Sequence, residues 1–272
     1  MNGMLAQMIA ITAYGNAYLH HRGIPDNFDF LNTTFQFCNK VDFRELRKMR
    51  LSSKTKESVL ANNPTEWFKY LKGNDCKQLR LHYESSKNQD FAKDYKLAGF
   101  VGGGGIWIIE AVFEQHVSFW VNRWEVTNQN AADEKIWTVN YTKLHKQQRI
   151  DKVYVEKQSM KDALNRTLKE ISDFARKQNL QYWEAQFEKA KSALDSPSPE
   201  EHFYHKDLIP LSEHSLMERQ LLFSAGVAWV FGGMGSWNDL GFENQEDNDV
   251  YEYLSEQLYS NINNAIIAAI NT

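Results

Sequence analysis

The sequence predicts an α+β fold: an antiparallel sheet of about four to six strands packed against helices, with a helical C-terminal half. Two patterns carry this expectation. Apolar residues alternate through the middle of the chain, and they recur every third or fourth position towards its end. The connections between the alternating runs are also too short to hold the crossover helix that a parallel pair requires.

The opening stretch to His21 places Met4, Leu5, Met8 and Ile11 at helical spacing. No Lys or Arg precedes its apolar part, so it reads as a buried helix rather than a cleaved signal. Gly23-Ile24-Pro25-Asp26 has turn chemistry. Phe28, Phe30, Phe35 and Phe37 follow in a Thr-containing run that favours strand. Residues 42–56 are basic, with Arg44, Arg47, Lys48, Arg50, Lys54 and Lys56, and the spacing of Phe43, Leu46 and Met49 gives them the stripe of a solvated helix. Asn63 and Pro64 then suit the cap and first position of a helix whose buried face is Trp67, Phe68 and Leu71.

Leu79, Leu81 and Tyr83 alternate with polar residues, and three further strand-like runs cover residues 106–113, 117–126 and 136–141. Val153 and Val155 suggest an edge strand blunted by Lys152 and Lys157. Beyond them Leu164, Leu168, Ile171 and Ala175 predict a helix capped at Ser159, with a break near Asn179 before Tyr182, Trp183, Phe187, Ala190 and Leu194 extend the pattern. Asp195-Ser196-Pro197-Ser198-Pro199 is a loop, and Ser215 with Glu218 fits a capping box. Residues 221–231 are apolar all round and so belong to a central buried element. A final helix capped by Asp249 buries Val250, Leu254, Leu258, Ile262 and Ile266. The expected organisation is one domain over residues 1–272, with 1–157 its sheet-containing part and 158–272 its helical part.

A chain of 272 residues hides roughly three quarters of its unfolded surface and needs no disulfide or metal to fold. Aromatic residues, with 8 Trp, 12 Tyr and 16 Phe, supply a large core or an adhesive face. The net charge of −4 makes nucleic acid an unlikely partner, since phosphate neutralisation needs a basic surface. Cys38 and Cys76 lack zinc-ligand spacing and suit a reducing, cytoplasmic setting. No apolar run has the length of a membrane span.

Among chemistry-bearing motifs, Phe231-Gly232-Gly233-Met234-Gly235-Ser236-Trp237-Asn238-Asp239 stands out. Its glycines permit left-handed backbone or close approach to a ligand, so Gly233, Gly235, Ser236, Trp237, Asn238 and Asp239 are the candidate ligand- or partner-binding residues. No Lys follows as in a phosphate loop, and Ser236 lacks the flanking glycines of a nucleophile elbow. A tight turn with Trp237 in the core is the competing explanation. Gly102 to Gly105 reads as a flexible or closely packed loop. His202 and His205, with Glu201 and Asp207, have metal-capable side chains but not the order of a zinc protease. The acidic stretch of Asp239, Glu243, Glu246, Asp247 and Asp249 either faces a basic partner or favours the helix that follows.

No catalytic residue, metal or cofactor is assigned. The favoured expectation is a non-enzymatic interaction protein, for example an acidic inhibitor or immunity-type protein of a basic toxin or effector. Its motivation is the acidic balance and the surplus of Trp and Tyr that interfaces favour. The alternative is an enzyme or small-molecule binder that uses residues 232–239, and a nucleic-acid binder using residues 44–56 ranks last.

Overall fold

The computed structural model describes residues 1–21, 28–48, 55–87, 93–100, 103–144 and 156–271. In chain order they form α1 (Gly3–His21), the short α2 (Phe28–Leu31), β1 (Cys38–Lys48), β2 (Thr55–Ala61), α3 (Pro64–Gly73), β3 (Gln78–Glu84) and the short α4 (Asp94–Leu97). Three strands follow, β4 (Ile106–Val112), β5 (Val117–Val126) and β6 (Trp137–Leu144). The chain ends in α5 (Lys157–Lys177), α6 (Gln181–Asp195), α7 (Leu216–Val227) and α8 (Gln245–Ile270). The protein is thus α+β with a helical C-terminal half, and no described helix is long and apolar enough to cross a membrane.

The strands build a 6-stranded sheet in the order β2-β1-β6-β5-β4-β3. Neighbours are antiparallel, as the short connections from β4 to β6 require, except β1 and β6, which run parallel. That pair is joined by the long stretch from β2 to β5, enough chain for a crossover. One face of the sheet carries Leu79, Leu81, Ile109, Trp120, Val139 and Tyr141, all fully buried. Phe43 of β1 stacks between Trp67 of α3, at 4.4 Å, and Tyr141 of β6, at 5.0 Å. Helix α1 is apolar nearly all round because it lies inside this layer. Its one buried amide, Gln7, accepts from the Tyr141 hydroxyl at 3.0 Å and donates to the Thr34 carbonyl, so it costs little there.

Several local expectations are corrected. The Phe28 to Phe37 run is not strand: Asn32 caps a 3-10 turn (Thr33–Phe35), its side chain accepting from the Thr34 amide at 3.0 Å. Local side-chain bonds of this kind compete with a sheet ladder. The basic segment is not a helix either. Its described part is the β1–β2 hairpin, where the period-two burial of Val41 and Phe43 prevails over the i, i+3 stripe; residues 49–54 lie outside the described residues, as do Gly23 to Asp26 and the expected edge strand at Val153 and Val155. Helix α5 is capped by Glu156 rather than Ser159, with carboxylate bonds of 3.0 and 2.6 Å to the amides of Gln158 and Ser159. Helix α8 begins a turn earlier than expected, capped by Asn244 rather than Asp249. Val250 and Tyr182 face solvent instead of the core. The Asn63 cap, the Ser215–Glu218 capping box and the break at Asn179, whose φ is 57°, are as expected.

The outer edge of β3 is closed by side chains. Asn16 of α1 accepts from the Leu79 amide at 2.7 Å and donates to the Leu79 carbonyl at 2.9 Å. Asn271, just beyond α8, repeats the arrangement on Leu81 at 2.7 and 2.8 Å. Each amide imitates a neighbouring strand and satisfies backbone groups that would otherwise invite foreign pairing. Replacing Asn16 or Asn271 by Ala leaves a donor and an acceptor of β3 unpaired. Each substitution should lower unfolding free energy by ~1–3 kcal/mol in urea titrations, and an unchanged midpoint would show that the clasps are not stabilising.

Candidate functional site

Residues 232–239 follow the all-buried stretch 221–231, in which α7 ends and Trp229 donates to the Phe231 carbonyl at 2.9 Å. Trp237 turns inward and is fully buried. Its ring meets Phe187 at 5.0 Å and Trp183 at 5.6 Å, its Nε1 donates to Ser255 Oγ at 2.8 Å, and the Tyr251 hydroxyl donates to its carbonyl at 2.7 Å. The polar residues then bond to the turn itself. Asn238 Oδ1 accepts from the Gly232 amide at 3.1 Å and from Ser236 Oγ at 2.5 Å. Asp239 accepts from the amides of Gly235, at 2.5 Å, and Ser236, at 3.3 Å. Gly235 has φ 84°, a left-handed angle that closes the turn. Ser236 therefore gives its proton to an amide oxygen and not to a base. Gly233, Met234 and Gly235 face solvent at the tip, with the Met234 side chain wholly exposed, and Asp239 is exposed at the far end of the turn.

The turn just before the second glycine cluster packs against the first. A Cβ on Gly99 would lie 1.9 Å from the Gly232 carbonyl oxygen, so the two backbones touch. Asn238 Nδ2 reaches across this seam to the Lys96 carbonyl at 3.2 Å. Gly104 has φ 75° and its carbonyl accepts from Tyr259 at 2.6 Å and Tyr83 at 3.1 Å, which ties the loop to α8 and β3. Gly102 lies outside the described residues. Next to the seam Phe100 is 62% exposed, and on α8 Tyr253 is 60% and Val250 40% exposed. Lys96 and Lys93, from α4 and just before it, pair with Glu252 at 2.6 Å and Glu256 at 3.2 Å of α8. The seam thus brings together Gly233, Gly235, Ser236, Asn238 and Asp239 with Phe100 and the outward side of α8, while Trp237 sits beneath as an anchor.

The remaining candidates have structural partners. His205 is buried, and its Nδ1 lies 2.7 Å from Thr33 Oγ1. Thr33 donates its hydroxyl proton to Asp207, so it accepts from His205. Thr33 N also donates to Asp207 at 2.8 Å, and Asn32 Nδ2 donates to the Asp207 carbonyl at 2.6 Å. Glu201 pairs with Lys206. Among the described residues no group of His, Cys, Asp and Glu is placed to hold a metal ion. His20 Nε2 lies 2.9 Å from the Lys77 carbonyl, and His145 is outside the described residues. Arg44, from the basic segment, is bonded to Asp42 at 2.7 and 2.9 Å and to Glu57 at 3.0 Å, which answers its charge within the sheet.

Sequence reasoning missed Phe100, Val250 and Tyr253. Phe100 carried one signal, a large aromatic set directly beside Gly99 and the glycine cluster. Tyr253 reads as core by composition, and only the true helix start shows that it points outward. The chain matches no family model, no curated protein and no solved structure.

Two outcomes test this geometry. Gly99→Ala should lower the melting temperature by several degrees, because backbone must move to admit the Cβ; Gly73→Ala, with nothing within 4 Å, should not. Burial also pushes the His205 imidazole down to about 4, with Asp207 opposing that shift. Above pH ~6.5 both folded and unfolded forms are neutral; between there and pH 4 only the unfolded chain takes up the proton, so stability falls as pH falls through this window. NMR titration of His205 should show no protonation until well below pH 6, whereas a midpoint near 6.5 would contradict its burial.

Proposed function

We propose that this is a non-enzymatic protein-interaction protein and that the seam of its two glycine loops is the recognition surface. The observation that carries the reading is the division of labour in residues 232–239. Ser236 and Asn238 are bonded to each other, Asp239 closes the turn through one carboxylate oxygen, and the outward tip is an exposed methionine on the same seam as the exposed Phe100. Catalysis needs cooperating polar groups directed at a substrate, and the one outward oxygen of Asp239 has no such partner in the turn, whereas binding needs exposed apolar anchors on a rigid frame. Met side chains adapt to varied apolar surfaces, and Trp237 beneath the turn supplies the rigidity. An acidic inhibitor or immunity-type protein, acting on a basic toxin or effector, has this character.

The test is co-expression with the products of the genes that adjoin its own, followed by gel filtration. One of them should co-elute, and a Phe100→Asp/Met234→Asp variant with an unchanged circular dichroism spectrum should lose the complex. A complex that survives both substitutions, or none with any neighbour, contradicts the proposal.

A further inference from the structure

We infer that the seam and the outward stripe of α8 dock a basic amphipathic helix of a partner protein. This rests on the protein-binding reading above and names the chemistry of the partner.

Helix α8 has 26 residues and contains no Lys, Arg or His, against Glu246, Asp247, Asp249, Glu252 and Glu256. Carboxylates in the first turn favour any helix, but the macrodipole fades beyond that turn. It accounts for the placing of Glu246 and Asp247 and does not extend to Asp249, Glu252 and Glu256. Asp247, Glu252 and Glu256 are answered from the body of the protein by Lys177 at 2.9 Å, Lys96 at 2.6 Å and Lys93 at 3.2 Å. Glu246 and Asp249 have no lysine or arginine within 4 Å among the described residues, nor has Glu243 just before the helix, and all three are exposed. The surplus charge on this face is therefore negative and points outward.

Its shape fits a helix. Glu246, Val250, Tyr253 and Gln257 follow one another at four-, three- and four-residue steps on the exposed side of α8, with the exposed Asp249 beside Val250, a stripe about 16 Å long at ~1.5 Å per residue. Met234 and Phe100 add exposed apolar side chains at the seam, which Lys93 and Lys96 tie to α8. A partner helix with Leu-type residues at i, i+3, i+4 and i+7 would lay them over Tyr253 and Val250, with flanking Lys or Arg reaching the carboxylates. A second copy of this chain is disfavoured, because stacking two such stripes sets carboxylate against carboxylate. An anionic lipid surface is disfavoured for the same reason.

The probe is a fluorescein-labelled helical peptide of about 18 residues built from Leu and Lys in amphipathic order, titrated with the full chain by anisotropy. Binding should saturate and weaken as salt rises. Glu246→Lys/Asp249→Lys and Phe100→Asp/Met234→Asp should each weaken it roughly ten-fold or more. Glu114→Lys/Asp133→Lys, which changes net charge equally at exposed sites elsewhere, should leave it unchanged; circular dichroism confirms that each variant is folded. Equal loss in the charge-matched control, or no binding by the unmodified protein, overturns the inference. If a natural partner binds through Phe100 and Met234 but the peptide neither binds nor competes, the basic-helix inference is wrong and the protein-binding reading stands. If no partner depends on those two residues, that reading falls as well.

Discussion

The burial of Trp237 is the constraint on which the candidate surface depends. Its indole fills the space between α6 and α8, and the Nε1 bond to Ser255 fixes how deep it sits. A large aromatic so placed can bury on the order of 150–250 Å², far more than a short glycine-rich turn could gain by itself. With the ring inside, the residues on either side have little choice. Asn238 and Asp239 must close the turn over it, and Gly233 to Gly235 must pass outside. The same anchor holds Gly232 against Gly99, which joins the loop after the sheet's third strand to the helical half.

This arrangement explains why a motif rich in Ser, Asn, Asp and Trp presents so little reactive chemistry. A serine, an amide and a carboxylate within four residues suggest a site when read along the chain. Folded, each finds its partner in the same turn, because an unbonded polar group near the core costs about as much as the turn can gain. What remains at the surface is the apolar Met234 side chain, glycine backbone and one edge of the Asp239 carboxylate. The sheet shows comparable economy. Asp42 and Glu110 are buried carboxylates: Asp42 lies beside Lys40 and Arg44 of its own strand, and Glu110 lies beside Arg80 and is bonded to the His82 ring of the neighbouring β3. Such pairs cost less kept together than broken.

Most of the architecture could be read from residue order. Leu79 and Leu81 lie where alternation put them, and the C-terminal helices follow the 3.6-residue period through Leu164, Leu168, Leu254 and Leu258. The failures share a cause, which is that two periods or two caps competed at one place. Phe43 and Leu46 fit a helix, yet Val41 and Phe43 also fit a strand, and pairing with β6 decided the matter. Ser159 and Asp249 are good caps by type, but Glu156, three residues earlier, and Asn244, five residues earlier, take the role. The parallel β1–β6 pair depends on contacts between distant segments, which local pattern does not encode. The candidate loop was visible from its glycines alone. Its partners were not, since the contact of Gly99 with Gly232 joins residues more than a hundred positions apart.

The inward tryptophan and outward methionine can be checked together by timed oxidation with dilute hydrogen peroxide, followed by peptide mass spectrometry. Thioether oxidation follows exposure. Met234 should convert far faster than the buried Met8 and Met160, and the peptide holding Trp237 should stay unmodified until the protein unfolds. If Met234 is as slow as Met8, or Trp237 is modified along with it, the loop does not turn its polar groups in and its apolar tip out.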